Sequence, residues 1–360
     1  MEVASTARES LDARQSNDAV AIVGRKDGTV QLIDATSGQE LCTYRHDGPA
    51  DGEGGRISGV HLSGVAVNRG ISISSDGIAS IHRLEVGKGE DSNRLVPERL
   101  LSWSIPGGDV YATAFDRNVS VLAVGCKGSE LKVYDVNGIS EGGGTSDVLG
   151  MPPKLEPLFS AKGGARNKVG LSDLPWNSAV AFHPNSEAIK VWVGTGYHKI
   201  RLYDRAAGKK PQLEVAFPNG AARITALAPE PNGNRCWVAD AQGKIEAYDL
   251  RAARFIGSLK GVTGSVRSLA LHPTRPLVAS VGLDRFLRLH NTDRGGKSVD
   301  KLYLKTELNC VAWLPPTQEA SSKAFESSWA NGKGRDKKNA LDEQDRAEQS
   351  VGRKKAKWHT

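Results

Sequence analysis

The sequence predicts an all-β fold in which one four-stranded unit is repeated around a ring. Two observations support this prediction. The chain has 40 glycines, 16 prolines and 39% hydrophobic residues, which is typical of a turn-rich chain with a substantial core. One pattern also recurs six times: an apolar strand, a turn with Gly or Asp, and an alternating strand that ends in an aromatic or apolar residue and Asp or Asn.

The endings of this pattern set the repeat length. They occupy residues 28–34, 77–83, 129–135, 198–204, 244–249 and 285–291, and the second ending is degenerate. The spacings between their final residues are 49, 52, 69, 45 and 42. The last two match a four-stranded blade of about 40–45 residues. The longer spacings contain inserts at 142–147 and 162–168, which we expect to be loops.

The remaining strands of each unit follow from short apolar or β-branched runs. Second strands are predicted at 20–24, 121–125, 191–194, 237–239 and 277–282, and inner strands at 110–115, 179–182, 224–228 and 266–271. Outer strands are predicted at 41–45, 100–105, 213–217, 255–259 and 302–305. One such sheet cannot bury both of its faces alone, so the units stack radially as a β-propeller of six countable blades.

The two ends of the chain are predicted separately. Residues 308–314 (LNCVAWL) read as an inner strand that completes the blade formed by 20–45, so that the two ends of the chain meet. We expect a flexible N-terminus at 1–16, a propeller at 17–315 and a disordered basic tail at 316–360.

Several classes of protein are disfavoured. No apolar run approaches the roughly 18 residues of a membrane span, and residues 1–17 lack the apolar segment of a signal peptide. Catalytic motifs such as GxSxG, HExxH and a Walker A loop are missing, so we predict neither an enzyme nor a cofactor. The four cysteines are far apart, which predicts buried thiols in a reducing compartment: Cys42, Cys126, Cys236 and Cys310.

Specific residue pairs resemble those of the WD-repeat family across residues 18–315. They are the Tyr-Asp endings at 134–135, 203–204 and 248–249, the His-Pro pairs at 183–184 and 272–273, and the turn aspartates Asp27, Asp76 and Asp284. A turn aspartate can accept backbone N–H bonds in a tight strand connection, so we assign these three a structural role.

A narrower resemblance involves the last blade. Residues 264–269, 272–273, 276–280, 282–290 and 303–310 are similar to the nucleolar WD-repeat factors of large ribosomal subunit assembly, with further matches at 194–204 and 257–261. The resemblance implies a monomeric, non-membrane scaffold in the nucleus and nucleolus. It would dock on the early pre-60S particle, contacting pre-rRNA, ribosomal proteins and other assembly factors. Its release would need an AAA-type ATPase. The resemblance also implies seven blades, whereas six are countable.

The family geometry indicates where partners would bind. It places the loops before inner strands and the turns between second and third strands on one face, which is mostly basic here: Lys26, Arg56, Lys127, His198, Lys199, Arg223, Arg267 and Arg285. We predict partner contacts at Arg267, Arg285 and Arg288, followed by Lys199, Arg201 and Arg223. The alternatives are that this is an ordinary charged surface, and that Arg201 and Arg288 pair with carboxylates of neighbouring blades.

The basic C-terminus and one tetrapeptide suggest further functions. Residues 335–338 and the cluster Arg353, Lys354, Lys355 and Lys357 resemble a nuclear-import signal or a nucleic-acid-contacting arm, although a solvated tail is the alternative. Residues 248–251 (YDLR) fit the docking pattern of a substrate receptor of a cullin-type ubiquitin ligase, which is the alternative function.

Overall fold

The computed structural model describes most of the chain before residue 314. The described residues are 3–7, 20–35, 37–46, 56–62, 69–86, 94–116, 120–136, 155–163, 174–184, 186, 188–216, 222–249, 251–252, 254–293 and 296–313. They form β-strands, turns and loops, and they contain no helix that could cross a membrane.

The described residues form six sheets, which we number as blades 1 to 6 in chain order. In blade 1 the strands are β1 Val3–Ala7, β2 Val20–Gly24, β3 Thr29–Asp34 and β4 Glu40–Arg45. In blade 2 they are β5 Ile57–Leu62, β6 Arg69–Ser74, β7 Ile78–Val86 and β8 Leu95–Ser104. In blade 3 they are β9 Asp109–Phe115, β10 Val121–Lys127, β11 Lys132–Asp135 and β12 Phe159–Ser160.

The second half of the ring repeats this order. Blade 4 contains β13 Asn177–Phe182, β14 Lys190–Thr195, β15 Lys199–Asp204 and β16 Leu213–Ala216. Blade 5 contains β17 Ile224–Pro229, β18 Arg235–Asp240, β19 Ile245–Asp249 and β20 Arg254–Lys260. Blade 6 contains β21 Val266–Leu271, β22 Leu277–Gly282, β23 Phe286–Asn291 and β25 Asp300–Tyr303. The short strand β24, Gly296–Lys297, adds in parallel to β20 of blade 5. The prediction of an all-β propeller with six blades is confirmed.

Hydrophobic side chains between successive blades form the core. Val30 and Leu32 of blade 1 and Ile57 and Val60 of blade 2, for example, share one cluster, and each is at most 1% exposed. Four further clusters repeat this arrangement from blade 2 to blade 6. Burying one such side chain contributes about 1.5–3 kcal/mol. The second strands β6, β14, β18 and β22 are buried on both of their faces, which explains the apolar runs in the sequence.

The Tyr-Asp endings combine a core residue with a turn residue. The three tyrosines, Tyr134, Tyr203 and Tyr248, are at most 2% exposed and pack between blades. The aspartate then holds the next turn: Oδ1 of Asp249 accepts the backbone N–H groups of Arg251 and Ala252 at 2.9 and 3.0 Å. Such bonds satisfy donors that a tight turn leaves outside the sheet ladder.

The turn aspartates have the structural role that the sequence predicts, with one difference. Asp27 accepts the N–H of Thr29 at 3.0 Å, and Asp284 accepts that of Phe286 at 3.2 Å. Asp76 accepts a hydrogen bond from the hydroxyl of Ser74 instead.

The prediction for residues 308–314 is wrong in the described part, 308–313. Strand β1 occupies the inner position of blade 1 and pairs with β2 along its whole length, from Val3↔Gly24 to Ala7↔Val20. Residues 308–313 form no strand and lie along β21, where the indole N–H of Trp313 donates to the carbonyl of Ala270 at 2.9 Å. A strand 13 residues before β2 in the chain closes a far shorter loop than one from the opposite end.

The domain boundaries stay predictions, although β1 lies inside the range expected to be flexible. Residues 142–147, 164–168 and 316–360 lie outside the described residues. Of the four thiols predicted to be buried, Cys310 is only partly buried. Burial raises the pKa of Cys42 and Cys126 to about 11 and that of Cys236 to about 12.

Candidate functional site

One end of the blades carries most of the positions predicted to contact partners. In each blade, antiparallel pairing brings the start of the inner strand beside the end of the second strand, as in Ile57↔Ser74 and Val266↔Gly282. Hydrogen bonds join these ends between blades, for example from Ser178 Oγ to the carbonyl of Ile224 at 2.7 Å. We call this end the upper face. Its exposed or partly exposed side chains include Lys26, Arg56, Tyr111, Lys127, Trp176, Tyr197, His198, Lys199, Arg223, Arg267 and Arg285.

The upper face opens into a central cavity of about 760 Å³. Its charged lining residues are Arg56, Asp109, Arg223 and Arg267, three of which are basic. Each lies next to or within the first residues of an inner strand, so the propeller geometry brings them together from four blades. A cavity lined in this way favours an anionic group at its mouth.

An aromatic cluster borders this cavity. The Trp176 ring lies between those of Tyr111 and Tyr197, with centroid distances of 6.0 Å to each. The ammonium of Lys127 lies 4.8 Å from the Trp176 centroid, and the guanidinium of Arg223 lies 5.9 Å from that of Tyr111. Residues of blades 3, 4 and 5 therefore combine three neighbouring rings with two cations.

Two turns of the upper face have a strained backbone. His198 and Arg285 follow the second strands of blades 4 and 6 and have φ values of 61° and 66°. The left-handed conformation costs a residue with a side chain roughly 1–2 kcal/mol. Such strain is concentrated at functional positions in proteins, and both of these side chains are basic.

The predicted contact residues fall into two groups. Arg223 and Arg267 converge on the cavity, and Arg285 is exposed on its own turn in blade 6. Lys199 starts β15 and pairs with Glu214 at 3.5 Å. Partner contact at these four positions stays a prediction.

Arg201 and Arg288 instead point into the blades, where they are 6% and 5% exposed. Arg201 Nε lies 2.7 Å from Glu214, and Arg288 Nη1 lies 2.5 Å from Asp284. Each carboxylate belongs to the same blade as its arginine, not to a neighbouring blade. Burial acts to lower the pKa of Arg201, but the surrounding acidic groups outweigh it and raise this pKa.

The aromatic cluster was not predicted from the sequence. Tyr111, Trp176 and Tyr197 are spread over 87 positions, and only the radial arrangement brings them together. One local signal exists: Tyr197 and His198 lie within the stretch 194–204 that resembles the nucleolar factors.

Two histidines are poor candidates for acid–base chemistry at neutral pH. Burial lowers the pKa of His61 to about 4, and burial together with the nearby charge of Arg288 lowers that of His290 to about 4. No group of three or more potential metal ligands occurs in the described part of the chain.

The tetrapeptide 248–251 also has a structural explanation. Tyr248 is a core residue, and Asp249 is bonded to the turn that contains the exposed Arg251. Nothing in these contacts favours the ubiquitin-ligase alternative. The tail residues Arg353, Lys354, Lys355 and Lys357 lie outside the described residues.

Comparison with known proteins agrees with the repeat. The family model "WD domain, G-beta repeat" matches residues 253–291. Over 192 residues, or 53% of this chain, it is 38% identical to bovine and 37% identical to human WD repeat-containing protein 74. A WD repeat-containing protein of Dictyostelium discoideum is 34% identical over 146 residues, which are 39% of this chain and 28% of that protein. The chain spans 45% of the length of the bovine and human relatives. The six-bladed fold, the matching repeat and these similarities together show that the chain is a WD-repeat β-propeller.

Proposed function

We propose that the protein is a non-catalytic scaffold that assists assembly of the large ribosomal subunit. It docks on the nucleolar pre-60S particle, takes part in the maturation of large-subunit rRNA, and is released with help from an AAA-type ATPase. It acts as a monomer in the nucleus and nucleolus, without contact to a membrane.

One observation carries the proposal. The stretches that resemble the nucleolar factors include the upper-face turns of blades 4 and 6, at residues 197–198 and 285. Core strands alone would explain a resemblance in fold. A resemblance that extends to exposed, strained basic turns supports a shared binding surface.

The chemistry of the upper face supports the same proposal. Arg223 and Arg267 at the cavity mouth attract phosphate groups or acidic protein segments, both of which a pre-ribosomal particle presents. A rigid ring with several rims suits a protein that holds several components at once.

Affinity purification tests the proposal. The tagged full chain is isolated from nuclear extract, and its RNA and protein are analysed across a sucrose gradient. We expect co-sedimentation with large-subunit precursor rRNA, and we expect the double variant Arg223→Glu, Arg285→Glu to reduce it. The matched control is Arg205→Glu, an exposed arginine in the turn after β15 at the opposite end of blade 4. Sedimentation of the unmodified chain near the top of the gradient, with normal rRNA maturation after depletion, would refute the proposal.

Localisation is tested separately. We expect a fluorescent fusion of the full chain to accumulate in the nucleolus. Replacement of Arg353, Lys354, Lys355 and Lys357 by alanine is expected to shift it towards the cytoplasm, because a basic cluster of this kind is read by import receptors. If nuclear accumulation is unchanged, the basic cluster of the tail is not the nuclear-import signal.

A further inference from the structure

The aromatic cluster of the upper face leaves two rings accessible. Tyr111 and Tyr197 are 37% and 38% exposed, which makes them two of the few large apolar side chains exposed in the described structure. They lie on either side of Trp176, and both meet it edge-on, with interplanar angles of 72° and 87°. An exposed aromatic face loses water when a planar ligand stacks on it, which favours binding.

The indole of Trp176 provides a rigid support for both rings. It packs directly on Gly196, where an added Cβ would lie 2.2 Å from the ring atoms. The Lys127 ammonium also contacts the ring, and the carbonyl of Trp176 accepts the N–H of Gly196 at 2.9 Å. The two tyrosines are therefore held in position before any ligand arrives, which reduces the entropy lost on binding.

Two cations and a histidine lie near the rings. Lys127 is exposed on blade 3, Arg223 borders the cavity from blade 5, and His198 directly follows Tyr197 on blade 4. The strained φ of His198 is held by a hydrogen bond between its Nδ1 and the carbonyl of Ala222. This left-handed turn directly follows Tyr197, whose ring meets that of Trp176 edge-on.

We propose that this cluster binds single-stranded RNA. Tyr111 and Tyr197 stack on unpaired bases, while Lys127 and Arg223 neutralise the adjoining phosphates. A duplex keeps its bases stacked on one another and offers none to the rings. An acidic peptide would use the cations but would leave both exposed rings without a planar partner. The inference rests on the proposed function, since it names the ligand class of the same upper face.

Direct binding with purified components tests this inference independently of the particle. Fluorescence anisotropy is measured with the full chain and a labelled 12-nucleotide single-stranded RNA of mixed sequence, at two salt concentrations. The same RNA as a duplex, the matching single-stranded DNA and a polyglutamate peptide serve as competitors. We expect the single-stranded RNA to bind most tightly, with an affinity that falls as salt increases.

Ring variants assign the site. Tyr111→Ala and Tyr197→Ala are each expected to weaken binding by about 5- to 160-fold, the range of one base–aromatic stack. Tyr→Phe at either position is expected to retain most of the affinity. The matched control is Phe255→Ala plus Tyr303→Ala, which removes two rings that are at least as exposed, from the outer strands β20 and β25. Circular dichroism verifies that each variant is folded.

The outcomes separate this inference from the proposed function. Equal binding by the ring variants and the control, or tighter binding of duplex, DNA or polyglutamate, would overturn the RNA site. If the unmodified chain nevertheless co-sediments with precursor rRNA, the scaffold proposal stands and docking occurs through other surfaces. If the RNA binds as expected but the chain does not co-sediment, the site stands and the ribosomal assignment fails.

Discussion

The turns between second and third strands are of two kinds, although they occupy the same position in their blades. In blades 1, 2 and 5 the left-handed residue is a glycine: Gly28, Gly77 or Gly243, with φ values of 80°, 89° and 97°. In blades 4 and 6 it is His198 or Arg285. Glycine adopts this conformation without steric cost, whereas a side chain does not. The repeat therefore tolerates strain in two blades, and both strained residues place a basic side chain on the upper face.

The strained turn of blade 6 is held by a buried ion pair, and removing the arginine is the most disruptive test. Asp284 precedes Arg285 and accepts hydrogen bonds from Arg288, from the N–H of Phe286 at 3.2 Å and from that of Thr263 at 3.4 Å. We expect Arg288→Met to lower the free energy of unfolding by about 3–5 kcal/mol, because the Asp284 carboxylate would stay buried without its counter-charge. Urea unfolding measures the change.

A second variant tests whether the unpaired carboxylate of Asp284 causes the loss of stability. Combining Arg288→Met with Asp284→Asn removes both charges, so the loss should be smaller than in the single variant. If the single variant unfolds with nearly the free energy of the unmodified protein, the pair does not hold the turn.

The next test is a substitution at Gly77, a turn glycine with no room for a side chain. In Gly77→Ala the new Cβ would lie 2.8 Å from the carbonyl oxygen of Ile105, in addition to the torsional cost at φ 89°. We expect a loss of about 2–3 kcal/mol in the free energy of unfolding, since the contact is with backbone that cannot move freely. If the loss is smaller than that of Gly28→Ala, the backbone around Ile105 can shift to make room for the new Cβ.

Gly28→Ala isolates the torsional cost alone. No atom lies within 4 Å of the position that its Cβ would occupy, and φ is 80°. The expected loss is about 1 kcal/mol, because the unfavourable torsion is partly offset by the lower entropy of the unfolded chain. A loss as large as that of Gly77→Ala would mean that strain at these turns comes from the backbone alone, and the comparison between open and crowded turns would fail.

The sequence predicts the strands that have a clear apolar run, and it misses strands in which that run is weak or interrupted. The apolar runs at 20–24, 266–271 and 277–282 give the bounds of β2, β21 and β22 directly. Strands β5 and β6 escape notice because glycines interrupt them. Gly59 is needed where a Cβ would lie 2.1 Å from Thr113 of the next blade, and this requirement weakens the apolar pattern. The short, small side chains of β1 give a similarly weak signal.

The candidate site was predicted only in part, for a different reason. Basic residues before inner strands can be located by position in the repeat, which is how Arg223 and Arg267 were found. Position in the repeat does not reveal which way the side chain of a strand residue points. Arg201 and Arg288 are therefore predicted as partner contacts together with Arg223 and Arg267, although both side chains are buried within their blades. The aromatic cluster depends on contacts between blades, which no local pattern encodes.

Replacing the strained Arg285 of blade 6 by glycine is expected to have the smallest effect on stability of the variants considered, and to stabilise the protein where the others destabilise it. Arg285→Gly should raise the free energy of unfolding by less than about 1 kcal/mol, because relief of the left-handed torsion exceeds the added entropy of the unfolded chain only slightly. His198→Gly is the matched variant, and its gain should be cancelled because the hydrogen bond from its ring to the Ala222 carbonyl is lost. Urea unfolding of both variants gives the difference, and the anisotropy and sedimentation assays show what each side chain contributes to binding.

If Arg285→Gly is more stable and binds as well as the unmodified chain, the backbone strain at this turn of blade 6 serves no binding function. If it is more stable and binds less, the arginine is retained for its contact with a partner, against the preference of its own turn.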